Sequence, residues 1–129
     1  GSYLLSAGVY EKYYYPAQQV RRLITQDYER AYEQCDVILA PTSPRTAFKF
    51  GEIGDPVEMH LSDIFTVSIN IAGNGGMNVP CGLGKDTGLP VGVQLICPQF
   101  KDVNMFRAAA ALEAAYGVAP IAPAFQAGE

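Results

Sequence analysis

Apolar positions recur at spacings of three and four from Val9 to Gln34: Tyr10, Tyr13, Tyr14, Val20, Leu23, Ile24, Tyr28, Ala31 and Tyr32. Polar and charged residues fill the other face, so the pattern predicts one long amphipathic helix with a core-facing stripe. Pro16 interrupts it, because it removes a backbone donor and should kink or restart the helix. The run Asp36–Ala40 is almost wholly apolar and closed by Pro41, which suits a central strand covered on both sides. Pro41–Pro56 is rich in turn residues and long for a structureless loop. Loops of that length usually carry function or pack on a neighbour.

Val57–Ile71 holds enough apolar positions for at least one helix, with Met59, Leu61 and Phe65 expected to anchor it by packing. Gly73–Gly76 should break it. Met77–Gly82 and Val91–Cys97 read as strands, with Pro80 placing a bulge or an edge in the first. The turn residues of Lys85–Pro90 join them into an antiparallel hairpin. Gln94, polar inside an apolar strand, is expected to hydrogen-bond across that hairpin as a structural group. Phe106–Tyr116 is an Ala-rich helix stopped by Gly117. This order predicts an α/β fold: a mixed β-sheet flanked by helices. Three strands make a thin sheet, and at least one edge is expected to receive further strands.

Composition narrows the function classes. The 129 residues are 49% hydrophobic and 17% charged, a globular balance. A net charge of −4 gives no electrostatic grip on a phosphate backbone, so any RNA contact is expected through a partner. No apolar run approaches the roughly 20 residues that span a bilayer, and Gly1–Tyr15 does not read as a signal peptide. Cys35, Cys81 and Cys97 form no CxxC pair, and the one histidine cannot complete a zinc site with them. All three are expected to be reduced and buried, in a cytoplasmic protein without a metal or other cofactor.

Four stretches carry a resemblance. They are Ser6–Ile24 (SAGVYEKYYYPAQQVRRLI), Asp36–Pro44 (DVILAPTSP), Met59–Gly73 (MHLSDIFTVSINIAG) with Val79–Gly82 (VPCG), and Leu89–Ile96 (LPVGVQLI). Together they resemble the C-terminal part of the amidase signature family, to about Gly117, with 118–129 as a Pro- and Ala-rich tail. Leu61–Phe65 is most similar to the branch that serves glutamine-dependent tRNA amidotransferases. Asn74-Gly75-Gly76 stands where many relatives have Leu-Pro-x, and Pro16 stands where relatives carry a helix former.

The resemblance implies an enzyme that hydrolyses glutamine through a lysine, a bridging serine on a cis peptide and a nucleophilic serine. The ammonia would pass to partner subunits B and C, which amidate Glu-tRNA(Gln) with ATP, so tRNA is met only through the complex. Those catalytic residues belong to a Gly/Ser-rich loop expected upstream of Gly1. The serines here (Ser2, Ser6, Ser43, Ser62, Ser68) are scattered with no Gly-Ser-Ser run. No catalytic residue is therefore assigned, since a hydroxyl nucleophile needs a base within hydrogen-bond reach, and the chain alone is expected to be inactive.

The one substrate-binding assignment is Asp63, whose carboxylate would hold the α-ammonium of glutamine by a charge-assisted bond. The arginine for the α-carboxylate is expected upstream. Arg21, Arg22 and Arg45 read as solvated charges, His60 as a surface or partly buried side chain, and the tyrosines of the first helix as core. Two alternatives stand beside the amidotransferase reading: a stand-alone amidase for small amides, and a non-catalytic interaction module.

Overall fold

A computed structural model describes residues 10–117. Tyr10–Tyr14 form one stretch of π-helix that runs directly into helix α1, Tyr15–Tyr32. Pro16 sits in the first turn of α1, where its missing N–H is harmless. The long helix is thus restarted at the proline, as the sequence suggests. Its stripe is not core: no α1 residue is fully buried, and Tyr13, Tyr15, Val20 and Leu23 are exposed. Tyr28 and Tyr32 stack on each other and are half-buried.

Strand β1 (Ile38–Pro41) is followed by a loop and by two short helices, α2 (Pro56–Ser62) and α3 (Val67–Ala72). Asp55 caps α2 by accepting a hydrogen bond from the Val57 N–H at 2.8 Å. Gly73 ends α3 in the left-handed region (φ 77°) that favours glycine. Gly75 and Gly76, read from the sequence as a break, instead open strand β2 (Gly75–Leu83). Strand β3 (Pro90–Cys97) and helix α4 (Asp102–Tyr116) complete the order.

The sheet order is β1-β3-β2, and both pairings are antiparallel. β1 is therefore an edge of this sheet, with Leu39 exposed, rather than a strand covered on both sides. β2 forms the other edge and carries a register shift between Pro80 and Gly82, the bulge expected at that proline.

Alternation along β2 and β3 makes the two faces of the sheet unlike. Val79, Leu95 and Cys97 point to one face and close a core with Met105 and Ala109 of α4, flanked by Met77, Val93 and Leu112. Gly76, Asn78, Gln94 and Ile96 belong to the other face. There α3 lies close: a Cβ on Gly76 would stand 3.4 Å from Ile69 Cγ2. Behind α3 lies α1, held by a hydrogen bond from Arg21 Nε to the Ile71 carbonyl (2.7 Å) and by the Tyr28–Ser68 hydroxyl pair (2.8 Å). The layers run α4, sheet, α3, α1.

Candidate substrate-binding site

The second face of the sheet carries the candidate site. Asn78 on β2 stands directly opposite Gln94 on β3, and Thr42 follows the end of β1 beside them. Gln94 is buried and donates through Nε2 to two carbonyls, Pro41 at 2.9 Å and Phe65 at 2.7 Å. It therefore ties β3 to the end of β1 and to the turn between α2 and α3. The bond expected across the hairpin is replaced by these two, because the facing position holds Asn78, which bonds elsewhere. Thr42 Oγ1 donates to Asn78 Oδ1 at 2.5 Å. Gly92 makes room for that carboxamide, since a Cβ there would overlap Asn78 Oδ1.

Two open clefts meet at this polar row. One, of about 510 Å³, is lined by the Thr42–Phe48 loop, Ser62, Asn78 and Pro90–Gly92. The other, of about 230 Å³, is lined by Thr42, Thr66, Asn70, Asn74, Asn78, Gln94 and neighbouring apolar groups. The first has the size of a small-molecule pocket. Thr42 and Asn78 belong to both and form the wall between them.

Asp63 caps the C-terminal end of α2 with φ −98° and ψ 4°. Its carbonyl accepts from the N–H groups of Thr66 (2.9 Å) and Val67 (3.1 Å), which fixes the turn into α3. Along the chain it lies between Ser62, on the larger cleft, and Thr66, on the smaller. Its carboxylate is exposed and has no hydrogen bond or ion pair among the described residues. It is thus free to meet a cation, though it lines neither cleft itself.

The remaining charged and polar candidates separate clearly. Arg22 pairs with exposed Glu29 at 3.0 Å, and Arg21 holds α3, so neither reaches a cleft wall shared with Asn78. Arg45 does line the larger cleft; it sits over the Phe48 ring and lies 3.8 Å from Glu58. His60 is exposed. Met59, Leu61 and Phe65, expected to pack, are exposed at 45%, 52% and 36%. Helix α2 turns Met59 and Leu61, and the turn after it turns Phe65, away from the small core of this chain.

Among the described residues no cluster of His, Cys, Asp and Glu could hold a metal ion, and no helix is long and apolar enough to cross a membrane. The cysteines differ from the expected uniform burial. Cys97 is fully buried, and desolvation together with the Asp102 charge pushes its thiol above the ordinary value. Cys81 is half-buried, and Cys35 is exposed at the end of the first helix. Burial likewise raises the Tyr32 hydroxyl, which is hidden without a hydrogen-bond partner among the described residues. Sequence reasoning missed Thr42, Asn78 and Arg45 as parts of one cleft. The available signal was a polar residue at the same facing position of two strands, Asn78 and Gln94.

Known proteins share both this fold and much of this sequence. The Amidase family matches residues 1–106. The A subunit of glutamyl-tRNA(Gln) amidotransferase from Corynebacterium glutamicum strain R is 53% identical over 115 residues, 88% of this chain and 23% of that protein. The crystal structure of the Thermotoga maritima protein of the same name superposes with a TM-score of 0.75 at 48% identity, over 88% of this chain and 25% of that one. A 6-aminohexanoate cyclic dimer hydrolase bound to substrate has a TM-score of 0.66 at 27% identity, covering 76% of this chain and 23% of its own. The chain spans about a quarter of the length of these relatives.

Proposed function

This chain belongs to the amidase family, and we propose that it is the C-terminal part of the A subunit of a glutamine-dependent tRNA amidotransferase. In that reading the complete subunit hydrolyses glutamine through an acyl-enzyme formed by residues outside these 129. The released ammonia passes to partner subunits B and C, which amidate Glu-tRNA(Gln) with ATP in the cytoplasm. This segment supplies the substrate-side wall. The observation that carries its role is Asp63: an exposed, unpaired carboxylate fixed in a turn between residues of two clefts. Such a group suits the α-ammonium of glutamine, since a charge-assisted bond is among the stronger contacts available.

The surface supports a part rather than a whole. Large apolar side chains stand exposed along α1 and α2, and Phe50 and Phe100 project from loops. An apolar surface of that extent marks a face meant for covering. It fits a chain that spans about a quarter of its relatives. The likeness to a cyclic-amide hydrolase favours a second reading, a stand-alone amidase for small amides. A charged Asp63 fits an amino-acid amide better than an apolar one.

Ammonia release from glutamine by the full-length protein, with and without Glu-tRNA(Gln) and the partner subunits, tests the proposal. Glutaminase activity from the full-length protein and none from residues 1–129 alone is the expected result. Hydrolysis of simple amides with no activity on glutamine would select the second reading. Binding of partners without any amide hydrolysis would make the chain an interaction module.

A further inference from the structure

The wall between the two clefts does more than separate them. Asn78 is exposed on β2, yet its carboxamide is held in place. Thr42 Oγ1 donates to Oδ1 at 2.5 Å, and the bare Cα of Gly92 gives the amide its seat, since a Cβ there would overlap it. A carboxamide offers two N–H donors and one carbonyl. With the carbonyl engaged by Thr42, the Nδ2 donors are the unused end; they have no partner among the described residues. Orientation of that kind lowers the entropy lost when a ligand binds.

The geometry points to Asn78 as a specificity-determining residue, donating Nδ2–H to an acceptor oxygen of the amino-acid ligand, with Thr42 as its positioning residue. The inference rests on the reading that this site takes an amino-acid amide and adds a residue to it. The oxygen is that of the α-carboxylate or of the side-chain amide, the two acceptor groups of glutamine.

The test uses the full-length protein and glutamine as probe, with turnover and calorimetric binding both measured. Asn78→Asp keeps the size and the acceptor for Thr42 but removes the donors. It should weaken glutamine binding and raise KM by roughly tenfold, with a smaller change in kcat. Thr42→Val should weaken binding less, and adding it to Asn78→Asp should cost nothing further, as expected of two residues acting as one unit. Repeating the comparison with the α-methyl ester of glutamine assigns the oxygen: a penalty that disappears belongs to the carboxylate, and one that persists belongs to the amide.

Binding of glutamine by the parent protein without turnover would sink the catalytic reading and leave the Asn78 comparison intact. Unchanged affinity in Asn78→Asp, or a loss seen only as a lower melting temperature, would overturn the inference. Absence of glutamine binding by the parent protein would overturn both.

Discussion

The two faces of the sheet differ by one residue of register and do different work. The face under α4 carries Val79, Leu95 and Cys97, each at most 3% exposed, closed by Met105 and Ala109. The face under α3 carries Asn78 and Gln94 at the matching positions, with Thr42 beside them, and opens into two clefts. Because side chains alternate along a strand, one pair of strands supplies both the rigid backing and the polar wall. Preorganisation of the wall follows from the packing behind it: Asn78 and Gln94 cannot drift while Val79 and Leu95 are locked on the reverse side.

Substitutions break this contrast in order of size. Leu95→Ala removes a buried side chain from the packed face and should lower stability by about 2–5 kcal/mol, measured by denaturant unfolding of the full-length protein. Gln94→Leu leaves the Pro41 and Phe65 carbonyls without a donor and should lower it by about 1–3 kcal/mol, while loosening the loop after β1. If Gln94→Leu were neutral, the polar face would not depend on that tie.

Thiol chemistry reports the same contrast without a substitution. Cys97 should react slowly with a thiol reagent in the native state and Cys35 quickly, with Cys81 between them. The sign of the pH effect follows from the raised Cys97 thiol. The unfolded thiol ionises first, so the unfolded state binds fewer protons at alkaline pH. Stability is full below the ordinary thiol range and declines as pH rises through it. A Cys97→Ala variant should flatten that decline. Fast native labelling of Cys97 would contradict its burial.

Met59→Ser should change the stability of the isolated chain by no more than about 0.5 kcal/mol, since Met59 is 45% exposed and outside the buried core cluster here. In the complete protein the loss should be larger, if α2 is covered there as its apolar surface suggests.

Much of this arrangement was legible from periodicity. The hairpin, the bulge at Pro80, the restart at Pro16, the long loop after β1 and the helix ending at Gly117 all follow from local rules that hold within a few residues. What was not legible depends on contacts between distant segments. An apolar run such as Asp36–Ala40 reads as central, yet its place in the order β1-β3-β2 makes it an edge. The stripe of α1 and the apolar residues of α2 satisfy helical patterning, but patterning does not say whether the covering body lies within the same 129 residues. The site divides likewise. Asp63 is singled out by resemblance alone and lines neither cleft, while the Thr42–Asn78 bond joins residues 36 apart that no spacing rule connects.

The central claim is that Asp63 holds the substrate ammonium, and Asp63→Asn in the full-length enzyme tests it most directly. The substitution keeps size and hydrogen bonding and removes the charge. It should lower kcat/KM for glutamine roughly ten- to a thousandfold, the effect of losing a charge-assisted contact. Amidation of Glu-tRNA(Gln) supplied with free ammonia should fall far less, because that route bypasses glutamine binding. Equal losses by both routes, or no loss by either, would contradict the assignment and leave Asp63 as the surface cap of α2.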